Sequence, residues 1–212
     1  MSKIYLELFD SERKRVFDKL KIFADIGYLA GGTALGLQLK HRISYDFDIF
    51  ISHAIDNTLR QRINILFPEA AYSLNTADQI NLKTKENIKV SFIWYYFPLL
   101  NPPIQTESLS LATLEDIAAD KACTIGRRAV WRDYVDIYWL LKTKTLDLST
   151  VIQLAEKKFK GEFVSSLFLE QLSYFDDISI VPIEFYASPS PQSPEIKAFL
   201  KAEVKRYVDH AI

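Results

Sequence analysis

The spacing of apolar residues changes near the middle of the chain, at a segment that contains Pro98, Pro102 and Pro103. Before this segment, short runs alternate apolar and polar residues, as β-strands do, and helical patterns lie between them. After it, apolar residues recur at helical spacing. We therefore predict an α+β fold with two domains. Residues 1–105 form a small mixed β-sheet with flanking helices, and residues 106–212 form an α-helical bundle that contributes to the cleft.

The individual elements follow from these patterns and from turn and cap residues. Ser11 is the expected N-cap of the first helix, and Thr33 is the expected cap of a helix that follows Gly31-Gly32. In the first domain we predict helices at 11–26, 34–39 and 56–67, and strands at 28–30, 46–51, 79–84 and 88–96. In the second we predict helices at 113–126, 131–143, 149–159 and 163–175, and a last helix that begins near Ser193.

Two carboxylates lie two positions apart in the most regular strand pattern. Phe47, Ile49 and Ile51 alternate with Asp46, Asp48 and Phe50. Residues at i and i+2 of a strand point to the same face, so both aspartates project together and repel each other. A bound Mg²⁺ or Mn²⁺ would remove that repulsion, because carboxylate oxygens and substrate phosphates are the ligands that Mg²⁺ prefers. The alternative is a solvated strand face at the edge of a sheet.

A glycine turn precedes this strand. Gly31-Gly32 allows close approach of the backbone to a phosphate, and the first amides of the following helix favour an anion. Thr33 adds a hydroxyl group. Two glycines also suit an ordinary tight turn. The twelve residues between Thr33 and Asp46 are enough for one helix and a return strand, so the turn and both aspartates are expected at the same end of the sheet.

A second group of charged residues lies in the helical half. Lys121 shares the apolar stripe of its helix, and Asp133 and Asp136 are neighbours on one face of the next helix. Arg128 and Arg132 lie in or beside the connection between the two helices. A buried lysine facing carboxylates is either a structural salt bridge or part of a site for a nucleoside triphosphate.

Composition excludes several classes of function. The net charge of −1 gives no overall attraction to nucleic acid, and the single cysteine, Cys123, permits neither an internal disulfide nor a cysteine metal cluster. The chain shows no apolar run long enough for a membrane span and no secretory leader pattern, so we expect a cytoplasmic protein without a membrane partner.

The motifs resemble a known family. The run Gly31-Gly32-Thr33-Ala34-Leu35, followed by Arg42, Ser44 and Asp46-Phe47-Asp48, is similar to the first motif of the nucleotidyltransferase superfamily in its AbiEii/AbiGii toxin (MenT-like) variant. The later residues Lys121, Arg128, Arg132, Asp133 and Asp136 resemble the later motifs of that family. The resemblance implies a nucleotidyltransferase-like fold. It also implies an enzyme that moves a nucleotidyl group from a nucleoside triphosphate to an acceptor, with tRNA as one such acceptor and an antitoxin as protein partner.

The resemblance also implies roles for these residues. Asp46 and Asp48 would hold Mg²⁺ or Mn²⁺, and Lys121 would neutralise charge on the triphosphate. Asp133 or Asp136 would order the site. The residues that would contact the phosphates or the nucleotide are Gly31, Gly32, Thr33, Arg42, Ser44, Arg128 and Arg132.

One position departs from the wider superfamily. Many nucleotidyltransferases carry a third carboxylate on a later strand, and the matching position here is Ser91. Two other functions therefore stay open: a module that binds nucleotide or RNA without turnover, and a transferase that modifies a small molecule such as an antibiotic. The aromatic run Trp94, Tyr95, Tyr96 and Phe97 fits either base stacking or core packing.

Overall fold

The structure is a computed structural model that describes residues 3–211, and it confirms the predicted α+β class. The chain forms two compact units. The first contains the residues up to Pro98 together with Pro102–Thr113, and the second contains Leu99–Asn101 together with the chain from Leu114 onward. The sheet lies wholly in the first unit, and the second unit is helical.

Among the described residues, the sheet has five strands in the order β1-β2-β5-β4-β3. β2 and β5 are parallel, while β1 pairs with β2, β4 with β5, and β3 with β4 in antiparallel fashion. The sheet is therefore mixed, as predicted. The strand bounds are β1 Gly27–Ala30, β2 Phe47–Ile51, β3 Ala71–Asn75, β4 Gln79–Lys83 and β5 Lys89–Trp94.

Alternation of burial along the central strands explains why they form. Phe47, Ile49 and Ile51 of β2 are at most 1% exposed, whereas Asp48 and Phe50 between them are half-buried. β5 repeats the pattern with Val90 and Phe92 buried. One face of the sheet therefore packs into the core, and the other face carries the polar side chains.

From residue 3 onward, the first unit has three α-helices: α1 Ser11–Lys19, α2 Gly31–Leu39 and α3 Asn57–Leu66. The predicted N-cap at Ser11 is wrong by one residue. Asp10 is the cap, and its carboxylate accepts hydrogen bonds from the amides of Glu12 and Arg13. The pKa of Asp10 lies below its ordinary value, chiefly because the Arg13 amide donates to the charged carboxylate.

In the described part of the second unit there are five α-helices: α4 Leu114–Ile125, α5 Trp131–Lys142, α6 Leu148–Phe159, α7 Ser165–Ser173 and α8 Ser193–Ala211. α4 and α5 bury most of their side chains, including Tyr134 and Tyr138. Within residues 3–211, no helix has the length and apolarity that a bilayer crossing requires.

The proline segment is divided between the units. The amides of Leu100 and Asn101 donate to the Asp116 carboxylate at the start of α4, with N–O distances of 2.8 and 3.2 Å. The chain then returns to the sheet, where the Leu29 amide donates to Ser110 O and the Ala112 amide donates to Leu29 O. The predicted boundary at 105/106 falls inside this returning segment, and the compact units instead divide at Thr113. The physical reason is that Ser110 and Ala112 form backbone hydrogen bonds with Leu29 of β1, which keep this segment in the first unit.

Candidate active site

The glycine turn lies at the end of β1, beside the second aspartate. Ala30, the last residue of β1, pairs with Asp48 of β2. Gly31 follows with a φ of 63°, a left-handed conformation that glycine adopts without strain. A Cβ atom built on Gly31 would lie 2.5 Å from Asp48 Oδ2. We call Gly31 and Gly32 the glycine bend, and the carboxylate of Asp48 lies directly against it.

Gly32 allows an equally close approach by two other predicted residues. A Cβ atom on Gly32 would lie 2.5 Å from Arg42 Nη2 and 3.2 Å from Ser44 Oγ. Both side chains therefore pack against the first turn of α2. The cap residue of α2 is Ala30, whose side chain makes no capping hydrogen bond. The positive end of the helix and the nearby guanidinium both favour an anion.

Thr33 has a different role from the predicted cap. α2 already begins at Gly31, and Thr33 lies in its first turn. The Thr33 hydroxyl donates instead to the backbone oxygen of Asp46. This hydrogen bond links α2 to Asp46, the first residue of the carboxylate pair Asp46 and Asp48.

Arg13 is a contributor that the sequence reasoning missed. Its side chain is only 9% exposed, and Nη1 donates to Ser44 O at 2.9 Å while Nε donates to Asp10 Oδ2 at 2.8 Å. The guanidinium also lies 4.9 Å from the centre of the Tyr45 ring. Arg13 thus fixes the loop that carries Ser44 and Asp46.

The carboxylate pair suits a divalent cation that keeps other ligands. Asp46 and Asp48 are both half-buried, and Asp48 Oδ2 lies in the space where Gly31 lacks a side chain. Among the side chains that the structure describes, no three of Asp, Glu, His or Cys converge as a ready metal site. Mg²⁺ commonly takes one or two carboxylates and completes its shell with waters and substrate phosphates, so the two aspartates fit Mg²⁺.

Ser91 occupies the position beside this pair. In the parallel register of β2 and β5, Asp48 pairs with Ser91. The side chain next to Asp48 on the neighbouring strand is therefore a hydroxyl where a third carboxylate would otherwise stand. Serine is a poor ligand for Mg²⁺, so the acidic groups of the carboxylate pair are Asp48 of β2 and Asp46, which precedes this strand.

The second group of predicted residues comes together within the helical unit. Lys121 Nζ lies 2.5 Å from Asp133 Oδ1 and 2.8 Å from Asp136 Oδ2. The lysine side chain is 11% exposed, and the two aspartate side chains are 3% and 0% exposed. The helical spacing thus places all three charges together, as predicted.

Lys121 contacts one of the two carboxylate oxygens of Asp133, the Oδ1 atom. Within residues 3–211, its Oδ2 atom is buried and accepts no hydrogen bond. Arg128, which is largely exposed, lies 3.8 Å from this atom, beyond hydrogen-bond distance. Arg132 is exposed, and the structure gives it no ion pair within the described chain. Of the two predicted arginines, only Arg128 approaches the cluster.

A second buried lysine was not predicted. Lys158 of α6 is 0% exposed and lies 3.0 Å from Asp116 Oδ1 and 2.7 Å from Asp120 Oδ1. Its neighbours include the aspartate that binds the proline segment, so it stabilises the start of α4. Cys123 is buried, and burial raises the pKa of its thiol, which fits an inert side chain.

Comparison with known proteins identifies the family. Residues 79–206 match the family model described as nucleotidyl transferase AbiEii toxin, type IV TA system. The chain belongs to the AbiEii nucleotidyltransferase toxin family. The uncharacterized protein aq_aa25 of Aquifex aeolicus (strain VF5) is 32% identical over 197 residues, which cover 86% of this chain and 88% of that protein.

Solved structures show the same fold at low sequence identity. MenT4, a nucleotidyltransferase toxin from Mycobacterium tuberculosis H37Rv, aligns with a TM-score of 0.62 and 16% identity over 92% of this chain and 82% of that chain. JHP933 from Helicobacter pylori aligns with a TM-score of 0.54 and 19% identity over 98% and 96% of the two chains. The family model itself describes AbiEii as a nucleotidyl transferase toxin, and these structures show that proteins of 16% and 19% identity share the fold of this chain.

Proposed function

We propose that this protein is an Mg²⁺-dependent enzyme that transfers a nucleotidyl group from a nucleoside triphosphate to a hydroxyl of an RNA acceptor. One observation carries the proposal: the Asp48 carboxylate lies against the glycine bend, where a Cβ atom on Gly31 would come within 2.5 Å of it. This contact brings a ligand for a cation to the place where backbone amides can receive a phosphate.

The triphosphate is assigned to the helix start. The first amides of α2 donate to the phosphate oxygens, and Gly31 and Gly32 add no side chain beside these amides. Arg42 and Ser44, which pack against Gly32, add a guanidinium and a hydroxyl. Arg13 and Thr33 hold the intervening loop in place through Ser44 and Asp46.

The reaction is a displacement at the α-phosphorus. An acceptor oxygen forms a bond to this phosphorus, the bond to the bridging oxygen of the β-phosphate breaks, and pyrophosphate leaves. Asp46 and Asp48 would hold Mg²⁺, which when bound supplies positive charge against the developing negative charge. The acceptor proton passes to solvent. The family resemblance gives Lys121, Asp133 and Asp136 a part in the reaction, and this stays a prediction.

The biological setting follows from the family. AbiEii proteins are described as toxins of type IV toxin–antitoxin systems, and MenT4 is described as a nucleotidyltransferase toxin. We propose that the acceptor is tRNA and that a cognate antitoxin restrains the enzyme. Co-expression of the neighbouring gene with this chain, scored by relief of growth arrest, tests the second statement.

Ser91 supports a second candidate, binding of nucleotide or RNA without turnover. Asp48 has a hydroxyl as its neighbour on β5, so one carboxylate fewer is available to the reaction than in a three-acid site. Both candidates predict binding of nucleotide or RNA, and only the first predicts release of pyrophosphate.

The test uses each radiolabelled nucleoside triphosphate with Mg²⁺ and total RNA, and in parallel with an aminoglycoside antibiotic. Label on RNA is the expected result. Bound nucleotide without transfer supports the binding module, and label on the antibiotic supports small-molecule modification. Asp48→Asn should lower transfer by at least about a hundredfold, because the cation that stabilises the transition state loses a carboxylate ligand.

The matched control for this variant is Asp78→Asn, since Asp78 is exposed in the same unit. This control should transfer label at the wild-type rate. Equal activity of Asp48→Asn and Asp78→Asn would remove the carboxylate pair from the mechanism.

A further inference from the structure

A polar row crosses three strands of the sheet beside the carboxylate pair. Asp48 of β2 pairs with Ser91 of β5, and Ser91 pairs with Asn81 of β4. Paired residues on neighbouring strands point to the same face, so the carboxylate, the hydroxyl and the amide form one line. All three residues are half-buried.

The strand order gives this row a direction. The glycine bend follows β1 on one side of Asp48, and Ser91 lies on the other side, because the order is β1-β2-β5-β4. Neighbouring strands lie about 4.8 Å apart, so Ser91 and Asn81 stand roughly 5 and 10 Å from Asp48. In a displacement at phosphorus, the attacking and leaving oxygens lie on opposite sides. With pyrophosphate leaving toward the glycine bend, the attacking oxygen arrives from the β5 side.

The residues on that side offer hydrogen-bond donors. Gln79 Nε2 donates to Asn81 Oδ1 at 2.8 Å, which leaves the two N–H groups of the Asn81 amide pointing elsewhere. Within the described part of the chain, neither the Asn81 side-chain nitrogen nor the Ser91 hydroxyl donates a hydrogen bond. A neutral donor pair at a half-buried position suits the oxygens of a sugar.

Two lysines on the same face add charge. Lys83 of β4 pairs directly with Lys89 of β5, and each lies two residues from a member of the polar row. Like charges directly opposite each other destabilise a sheet. Both side chains are exposed, and neither forms an ion pair with any described residue. An anionic ligand on this face would offset the repulsion.

We infer that the β5–β4 face binds the acceptor as the hydroxyl end of a phosphodiester strand. Ser91 and Asn81 contact the terminal sugar, and Lys83 and Lys89 contact the adjoining phosphates. This inference rests on the proposed function and deepens it, because it assigns the acceptor to named residues. The same charges disfavour a polycationic acceptor such as an aminoglycoside.

Direct binding tests the charge component without turnover. The probe is a fluorescein-labelled single-stranded oligoribonucleotide with a free terminal hydroxyl, followed by fluorescence anisotropy over a range of salt concentrations. The double variant Lys83→Glu/Lys89→Glu should bind at least about tenfold more weakly. Its logarithmic salt slope should fall by roughly 0.7 for each phosphate that the substituted side chains no longer neutralise.

The control is the double variant Lys14→Glu/Lys85→Glu. Lys14 and Lys85 belong to the same unit, have side chains that are 42% and 69% exposed, and pair with Asp18 and Glu69. It carries the same change in net charge and should bind within about twofold of the wild type. Equal loss of affinity in both double variants would overturn the assignment, as would a wild-type protein that does not bind the probe.

Kinetics test the hydrogen-bonding component. Ser91→Ala and Asn81→Ala should each raise the KM for the oligoribonucleotide by roughly threefold to tenfold, with the KM for the nucleoside triphosphate unchanged. Ser91→Thr keeps the hydroxyl and should restore the wild-type value. An increase in both KM values, or a failure of threonine to restore acceptor binding, would assign Ser91 a structural role only.

The outcomes separate this inference from the proposed function. If the wild type binds the oligoribonucleotide through Lys83 and Lys89 but transfers nothing, the proposed enzyme is wrong and the binding face stands. If transfer proceeds and all four substitutions leave acceptor binding unchanged, the face is wrong and the enzyme stands.

Discussion

Replacement of Gly31 by alanine tests the geometry on which the proposed site depends. A φ of 63° places this residue in the left-handed region, where a side chain costs about 1–2 kcal/mol. The new Cβ atom would lie 2.5 Å from Asp48 Oδ2, whereas ordinary contact begins at 3.4 Å. The carboxylate must therefore move by roughly 0.9 Å, the kind of displacement that costs about a hundredfold in rate.

Two measurements separate the effect on activity from the effect on folding. Thermal unfolding should show a fall in Tm of about 2–8 °C, since each kcal/mol corresponds to about 2–4 °C for a chain of this length. Transfer of labelled nucleotide to RNA, measured well below the Tm, should fall by about a hundredfold. The activity loss thus exceeds what the loss of folded protein can explain.

Gly161→Ala is the matched control. A Cβ atom on Gly161 meets nothing within 4 Å, and its φ is not positive. This variant should keep the wild-type rate and stability. If Gly31→Ala transfers nucleotide within about threefold of Gly161→Ala, a shift of Asp48 does not matter to the reaction and the reasoning fails.

Three further predictions concern substitutions of buried polar residues. Lys121→Met leaves two buried carboxylates without the lysine that neutralises them. Urea titrations should therefore show a free energy of unfolding that is lower by about 3–5 kcal/mol. A loss below about 1 kcal/mol would mean that these ion pairs contribute little to stability. Burial raises the pKa of Tyr134 from 10.0 to about 12, so the unfolded chain ionises first and stability is lost as the pH rises from 10 to 12. Tyr134→Phe should be at least as stable as the wild type at neutral pH and should lose less stability above pH 10, as thermal unfolding at each pH can check. Arg13→Met removes the hydrogen-bond donor to Ser44 O. It should lower the free energy of unfolding by about 1–3 kcal/mol and should also lower the rate of nucleotide transfer. An unchanged transfer rate in a destabilised protein would mean that Arg13 contributes to folding and not to the reaction.

The features that the sequence predicted well have local signals. β2 alternates apolar and acidic residues at a period of two, and only one register buries Phe47, Ile49 and Ile51. The pairing of Lys121 with Asp133 and Asp136 follows from residue spacing on two consecutive helices. Such patterns can be found without knowledge of the fold.

The features that the sequence reasoning missed depend on long-range contacts or lack a pattern. Arg13 lies in a charged run that is typical of an exposed helix, and its partner Ser44 is 31 residues away. β3 is exposed at every position, so it shows no alternation that would reveal a strand. The direct pairing of Lys83 with Lys89 needs the register of β4 and β5, which residue spacing alone does not determine.

The path of the backbone limits how this protein can be divided into pieces. The chain passes from one compact unit to the other after Pro98, after Asn101 and again after Thr113. A fragment that stops in the proline segment would lose Ser110 and Ala112, and Leu29 would then lack both of its backbone partners there. Exchange of whole modules between family members, or a split-protein reporter built from this toxin, must therefore join the pieces beyond Thr113 to keep the edge of the sheet intact.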